Sequence, residues 1–95
     1  SDYAQAHDVL LQELPSMGLG NFAPPDGGFY LYIDISHLTD DSEQWCDQLL
    51  HDTGVAIAPG VDFDPIDGHK YVRISFCVSL ETIRAACARL RQWLG

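Results

Sequence analysis

Residues 29–35 read Phe-Tyr-Leu-Tyr-Ile-Asp-Ile, and residues 71–77 read Tyr-Val-Arg-Ile-Ser-Phe-Cys. Both runs are short and rich in aromatic and β-branched residues, so both predict strands rather than helices. Successive side chains of a strand point to opposite faces. In the second run Val72, Ile74 and Phe76 therefore share one face, and Tyr71, Arg73, Ser75 and Cys77 share the other. In the first, Phe29, Leu31 and Ile33 fall on one side, Tyr30 and Tyr32 on the other. A strand wetted on one side normally alternates apolar with polar. This one is apolar or aromatic on both, which predicts cover on both faces.

The flanking segments read as helices and turns. Tyr3, Ala6, Leu10 and Leu14, widened by Leu11, recur at helical spacing and predict a helix over 2–14 that ends at Pro15, Gly18 and Gly20. Residues 21–28 hold Pro24, Pro25, Gly27 and Gly28 and read as a loop, with room for a short extended piece over 21–23. Thr39–Ser42 is a capping cluster, and Asp40, Asp41 and Glu43 suit a helix N-terminus. That helix runs to about Thr53, burying Trp45, Cys46, Leu49 and Leu50, and Gly54 closes it. Val55–Ala58 reads as a short buried strand stopped by Pro59–Gly60, with an acidic loop up to His69. Ser79 caps a last helix whose stripe is Leu80, Ile83, Cys87, Leu90 and Leu94. The order helix, strand, helix, strand, strand, helix predicts an α/β domain of the two-layer α+β kind: a small sheet with amphipathic helices packed on one face.

Composition bounds what such a domain can do. Ninety-five residues make one domain. Fourteen Asp and Glu against five Lys and Arg give a formal charge of −9. That balance excludes nucleic acid and anionic membrane as partners, since both need a basic footprint. No apolar run approaches the roughly 20 residues of a spanning helix. No charged segment followed by an apolar one opens the chain, so no signal peptide is expected and the protein is expected in the cytoplasm. Cys46, Cys77 and Cys87 are odd in number and widely spaced, which predicts reduced, partly buried thiols rather than a disulfide framework.

The outer face of the sheet carries the functional expectation. It would combine Arg73 with tyrosines or with Phe29, Leu31 and Ile33. A mixed apolar face with a single cation suits an interface or a pocket for an anion, and a guanidinium can grip a carboxylate or phosphate with two parallel hydrogen bonds. The plainer reading pairs Arg73 with one of the 14 acids. Other signals carry less. Asp62, Asp64 and Asp67–Gly68 have the look of a calcium loop, but Ile66 takes a ligand position, Gly68 comes one place late and Arg73 stands where the bidentate Glu belongs. The acids read instead as turn formers. His7, His37, His51 and His69 show no ligand spacing. Ser75 lacks a nucleophile-elbow sequence, and Gly27–Gly28 leads into a strand rather than the helix of a phosphate loop. Lys70, the sole lysine, sits beside an acidic loop and reads as a solvated residue.

Three stretches, in order, resemble the C-terminal (small) domain of class I/II, fold type I pyridoxal-phosphate-dependent aminotransferases: PPDGGFYLYIDIS at 24–36, TGVAIAPGVDFDP at 53–65 and GHKYVRISFCVSLETIRAACARLRQWL at 68–94. AHDVLLQELPSMGL at 6–19 fits the helix leading in. The resemblance implies that Arg73 binds the α-carboxylate of an amino acid or 2-oxo acid and that Tyr30 lines the substrate pocket. It implies that residues 1–95 are one domain, with the large cofactor-binding domain absent from this chain. The lysine that holds pyridoxal phosphate would lie there, since Lys70 is not in the family's lysine motif. It further implies an amino-group transferase that is homodimeric when complete, and a fragment that is inactive alone. The alternative is a stand-alone acidic α/β module that binds a protein or small ligand without catalysis.

Overall fold

The computed structural model describes residues 2–24 and 28–95. The elements are α1 (Asp2–Ser16), β1 (Tyr30–Asp34), α2 (Ser42–Thr53), β2 (Ala58–Pro59), β3 (Tyr71–Ser75) and α3 (Leu80–Leu94), with 3-10 turns at Gly60–Asp62 and Gly68–Lys70. The three strands form one antiparallel sheet in the order β1-β3-β2. The expected two-layer α/β architecture is the one observed. Leu31, Ile33, Val72 and Ile74 are buried on the inner face, against a core completed by Ala6, Leu10 and Leu14 of α1, Cys46 and Leu49 of α2, and Ile83, Cys87 and Leu90 of α3.

Local chemistry fixes the helix ends. The Oδ1 of Asp41 accepts the Gln44 amide at 3.1 Å and caps α2. Ser79 caps α3 by accepting the Thr82 amide at 3.1 Å. Gly54 closes α2 in the left-handed region at φ +78, where a side chain would be strained. The first helix runs past its expected end, through Pro15. It stops at Gly18, φ +85, where the Leu19 amide reaches back to the Leu14 carbonyl at 2.9 Å and the Gly18 amide to that of Pro15 at 3.2 Å. A proline in the last turn loses one amide but keeps its carbonyl for this closing pair.

Several sequence expectations shift. The second strand lies at Ala58–Pro59, not 55–58. The Val55 amide is taken by the Thr53 hydroxyl at 3.0 Å, and the chain meets β3 only at Ala58, opposite Arg73. Proline is tolerated there because β2 is an edge strand. Leu50 is 49% exposed and Trp45 only partly buried, the α2 stripe being narrower than its apolar residues suggest. Phe29 is 56% exposed: pairing begins at Tyr30, so Phe29 lies beyond the sheet against Tyr3 and Phe76. Cys77 is exposed past the end of β3. Part of the 21–28 loop, at 25–27, lies outside the described residues. Cover on both faces of β1 is not what the chain provides, since Tyr30 and Tyr32 remain half-buried.

Candidate functional site

The outer sheet face is aromatic around one cation. Antiparallel register sets Tyr32 opposite Arg73, with Ala58 opposite Arg73 on the other side. Strand alternation then puts Tyr30, Tyr32, Tyr71 and Arg73 on the same face. The face therefore collects the tyrosines rather than Leu31 and Ile33. The Arg73 guanidinium carbon lies 4.5 Å from the Tyr30 ring centroid and 3.7 Å from that of Phe63. No carboxylate among the described residues pairs with Arg73; their ion pairs are Arg91 with Glu13 and His51 with Asp52. Among the described residues, then, the plain ion-pair reading of Arg73 finds no carboxylate partner.

Arg73 and Tyr30 both line a groove of about 860 Å³ whose lining runs from the N-terminal half of α1, past the edge strand β1, to the outer face. Leu11, Phe22, Phe29 and Phe76 make its apolar wall, and Asp64 and Phe63 its far rim. Such a space, apolar with few convergent polar groups, fits a small molecule that carries one anionic group.

The loop between β2 and β3 forms that rim, and it is tightly tied. A β-carbon on Gly60 would lie 2.6 Å from the Gly68 carbonyl oxygen and 2.6 Å from the Tyr32 hydroxyl. The buried Ser42 hydroxyl donates to the Gly68 carbonyl at 2.9 Å. Asp64 accepts the Ile66 and Asp67 amides at 3.0 and 3.2 Å, so it acts as a turn former. Tyr32 and Tyr71 stack with centroids 4.6 Å apart and planes 1° off parallel. The Tyr32 hydroxyl is buried without a hydrogen-bond partner among the described residues. Burial, then the nearby Asp64 charge, raises its pKa above the ordinary tyrosine value. Burial likewise pushes the Cys46 thiol up to about 12, and it raises that of Cys87, so neither is a poised thiolate.

A family model for aminotransferases of class I and II matches residues 1–90. The chain belongs to that family. It is 47% identical over 94 residues to a valine–pyruvate aminotransferase of Mycobacterium tuberculosis, covering 99% of this chain and 24% of that protein. It is 38% identical over 93 residues to an aspartate/prephenate aminotransferase of Thermus thermophilus, covering 98% and 23%. A crystal structure of an aminotransferase from M. tuberculosis superposes with a TM-score of 0.94 at 47% identity, over 98% of this chain and 24% of that one. The chain thus spans about a quarter of the length of these aminotransferases.

Pyridoxal phosphate is the aminotransferase family's cofactor, and it needs a lysine for its aldehyde and a partner for its ring nitrogen. The residues of this chain do not fit it. Lys70 is exposed, ends a 3-10 turn and does not line the groove. Alternation in the sequence already groups Tyr30 with Tyr32 and Tyr71 with Arg73; the groove brings Tyr30, Tyr32 and Arg73 together with Phe63, which the sequence reading does not single out. Phe63 left one signal: a large apolar side chain between Asp62 and Asp64, in a loop with no other reason to carry it.

Proposed function

We propose that this chain is the C-terminal small domain of a pyridoxal-phosphate-dependent aminotransferase and supplies the group that binds the substrate α-carboxylate. In this reading Arg73 receives the carboxylate of an amino acid or 2-oxo acid through two parallel N–H···O bonds, and Tyr30 borders the substrate beside it. The observation that carries the reading is the half-buried Arg73 guanidinium at the groove, unpaired with any carboxylate among the described residues in a chain of 14 acids. A cation left open within reach of apolar walls is poised for an anion that arrives from outside. Holding the carboxylate there would fix the substrate Cα relative to whatever reacts with it, which is how positioning lowers a barrier. The cofactor supplies the electron sink when bound, and its lysine belongs to a large domain outside this chain. The complete enzyme is then a cytoplasmic homodimer, and the 95 residues alone do not catalyse. The family match over residues 1–90 favours this reading over a stand-alone binding module.

The test is made in the full-length enzyme. Arg73→Leu should lower kcat/KM for the amino acid by about 100-fold or more, the loss of roughly 3 kcal/mol expected of a two-pronged charged hydrogen bond. Arg73→Lys should recover only a small part, since an ammonium cannot copy the fork. Cofactor absorbance should not change. A loss below about threefold in Arg73→Leu would sink the assignment.

A further inference from the structure

We propose that Phe63 is a positioning residue for the Arg73 guanidinium, holding the plane of the cation so that its N–H edge is presented to the substrate carboxylate. The inference rests on the carboxylate-binding reading of Arg73 and extends it to a residue outside the sheet.

Phe63 takes no part in the hydrophobic core of this chain. Its ring is 50% exposed, and it belongs neither to the core nor to the apolar side chains packed against the core. Its immediate neighbours are Asp62 and Asp64. What it does touch is Arg73, whose guanidinium carbon lies 3.7 Å from the ring centroid. The guanidinium thus lies over the face of the ring at contact distance. Stacking of this kind uses a face of the cation and leaves the donors, which lie in its plane, free to bond.

The backbone that carries Phe63 is fixed from several directions. The Phe63 and Asp64 amides both donate to the Gly60 carbonyl, at 2.9 and 2.8 Å. The Gly68 amide donates to the Asp64 carbonyl at 2.9 Å, and the Asp64 carboxylate holds the turn that follows. Gly60 and Gly68 approach so closely that neither could carry a β-carbon without moving backbone. Ser42 anchors the Gly68 carbonyl to the start of α2. The ring is therefore held by a braced loop. Arg73 is a long side chain with several rotatable bonds, and without such a neighbour it would have to lose that freedom on binding each substrate. With the plane already restricted, less is lost when the carboxylate arrives.

The experiment is a double-mutant cycle in the full-length enzyme, read as kcat/KM for the amino acid, with Phe63→Leu and Arg73→Leu as the single changes. Phe63→Leu should cost about fivefold when Arg73 is present, the scale of a guanidinium–aromatic contact between exposed and desolvated limits. In the Arg73→Leu background it should cost less than about 1.5-fold. Phe63→Tyr, which keeps the ring face, should restore the parent value within about twofold. If Phe63→Leu has no effect beside a crippling Arg73→Leu, the positioning role is wrong while the carboxylate role stands. If Phe63→Leu costs equally in both backgrounds, or Phe63→Tyr fails to rescue, the ring acts through general packing and the proposal is overturned. If Arg73→Leu itself is harmless, the carboxylate reading falls first and this inference falls with it.

Discussion

Gly68 shows how much of the site depends on a side chain being absent. A β-carbon there would lie 2.3 Å from the carbonyl carbon of Gly60, 2.4 Å from its oxygen and 2.5 Å from the Val61 nitrogen, all of them backbone atoms. A flexible side chain can swing away from such a contact, but a peptide group inside a 3-10 turn cannot. Gly68→Ala should therefore push the two turns apart at a cost of about 2–3 kcal/mol, the upper range for overpacking. For a domain of this size that corresponds to a fall in Tm of roughly 10 °C or more. Thermal denaturation followed by circular dichroism checks it, and an unchanged Tm would mean the turns are not in contact. From sequence the residue reads only as a misplaced calcium-loop glycine. Its real partner, Gly60, is not a local neighbour, and no short-range pattern shows that two glycines eight positions apart face each other.

The caps that open α2 and α3, by contrast, are legible because their chemistry lies within three or four residues. Ser79 reads as the cap of α3, and its hydroxyl accepts the Thr82 amide as expected. Ser79→Ala should cost about 1 kcal/mol, the usual loss of an N-cap acceptor, and lower Tm by roughly 4–8 °C. Ser79→Asp should hold Tm close to the parent, because a carboxylate keeps the acceptor and suits the positive end of the helix. Equal melting of the alanine and parent chains would show that the cap contributes nothing. The strands followed the same division. The runs at 29–35 and 71–77 announced themselves by composition, and alternation placed Arg73 on the outer face. The position of β2 did not emerge, because only the pairing of Ala58 and Pro59 with β3 defines it, and that pairing spans more than a dozen residues. Phe63 was lost for the same reason: its meaning depends on Arg73, ten residues away and on another element.

At the scale of the whole molecule, charge works against compactness while particular carboxylates work for it. A formal charge of −9 on 95 residues means net self-repulsion at neutral pH, which added salt screens within about 10 Å at 0.1 M. Stability at pH 7 should therefore rise with sodium chloride, whereas a fold held mainly by surface ion pairs would lose stability. Acid acts differently. The pKa of Asp34 lies below its ordinary value because the Ser36 amide donates to it at 2.8 Å. That of Asp52 is lowered by hydrogen bonds from the Trp93 indole at 2.8 Å, which ties the end of α2 to the end of α3, and from His51 and Gln48 of its own helix. A carboxylate whose pKa is lower in the folded chain than in the unfolded one stabilises the fold above the unfolded value, and this contribution disappears as pH falls through the folded one. The loss should accordingly begin near pH 4 and deepen below it. Asp52→Asn should remove part of this acid limb and lower Tm at pH 7, with a difference from the parent that narrows as pH falls and the carboxylate is protonated. Melting curves from pH 7 to pH 2, with and without salt, test both halves. An acid limb identical in Asp52→Asn and parent would mean that the bond through Trp93 has no part in holding α2 to α3.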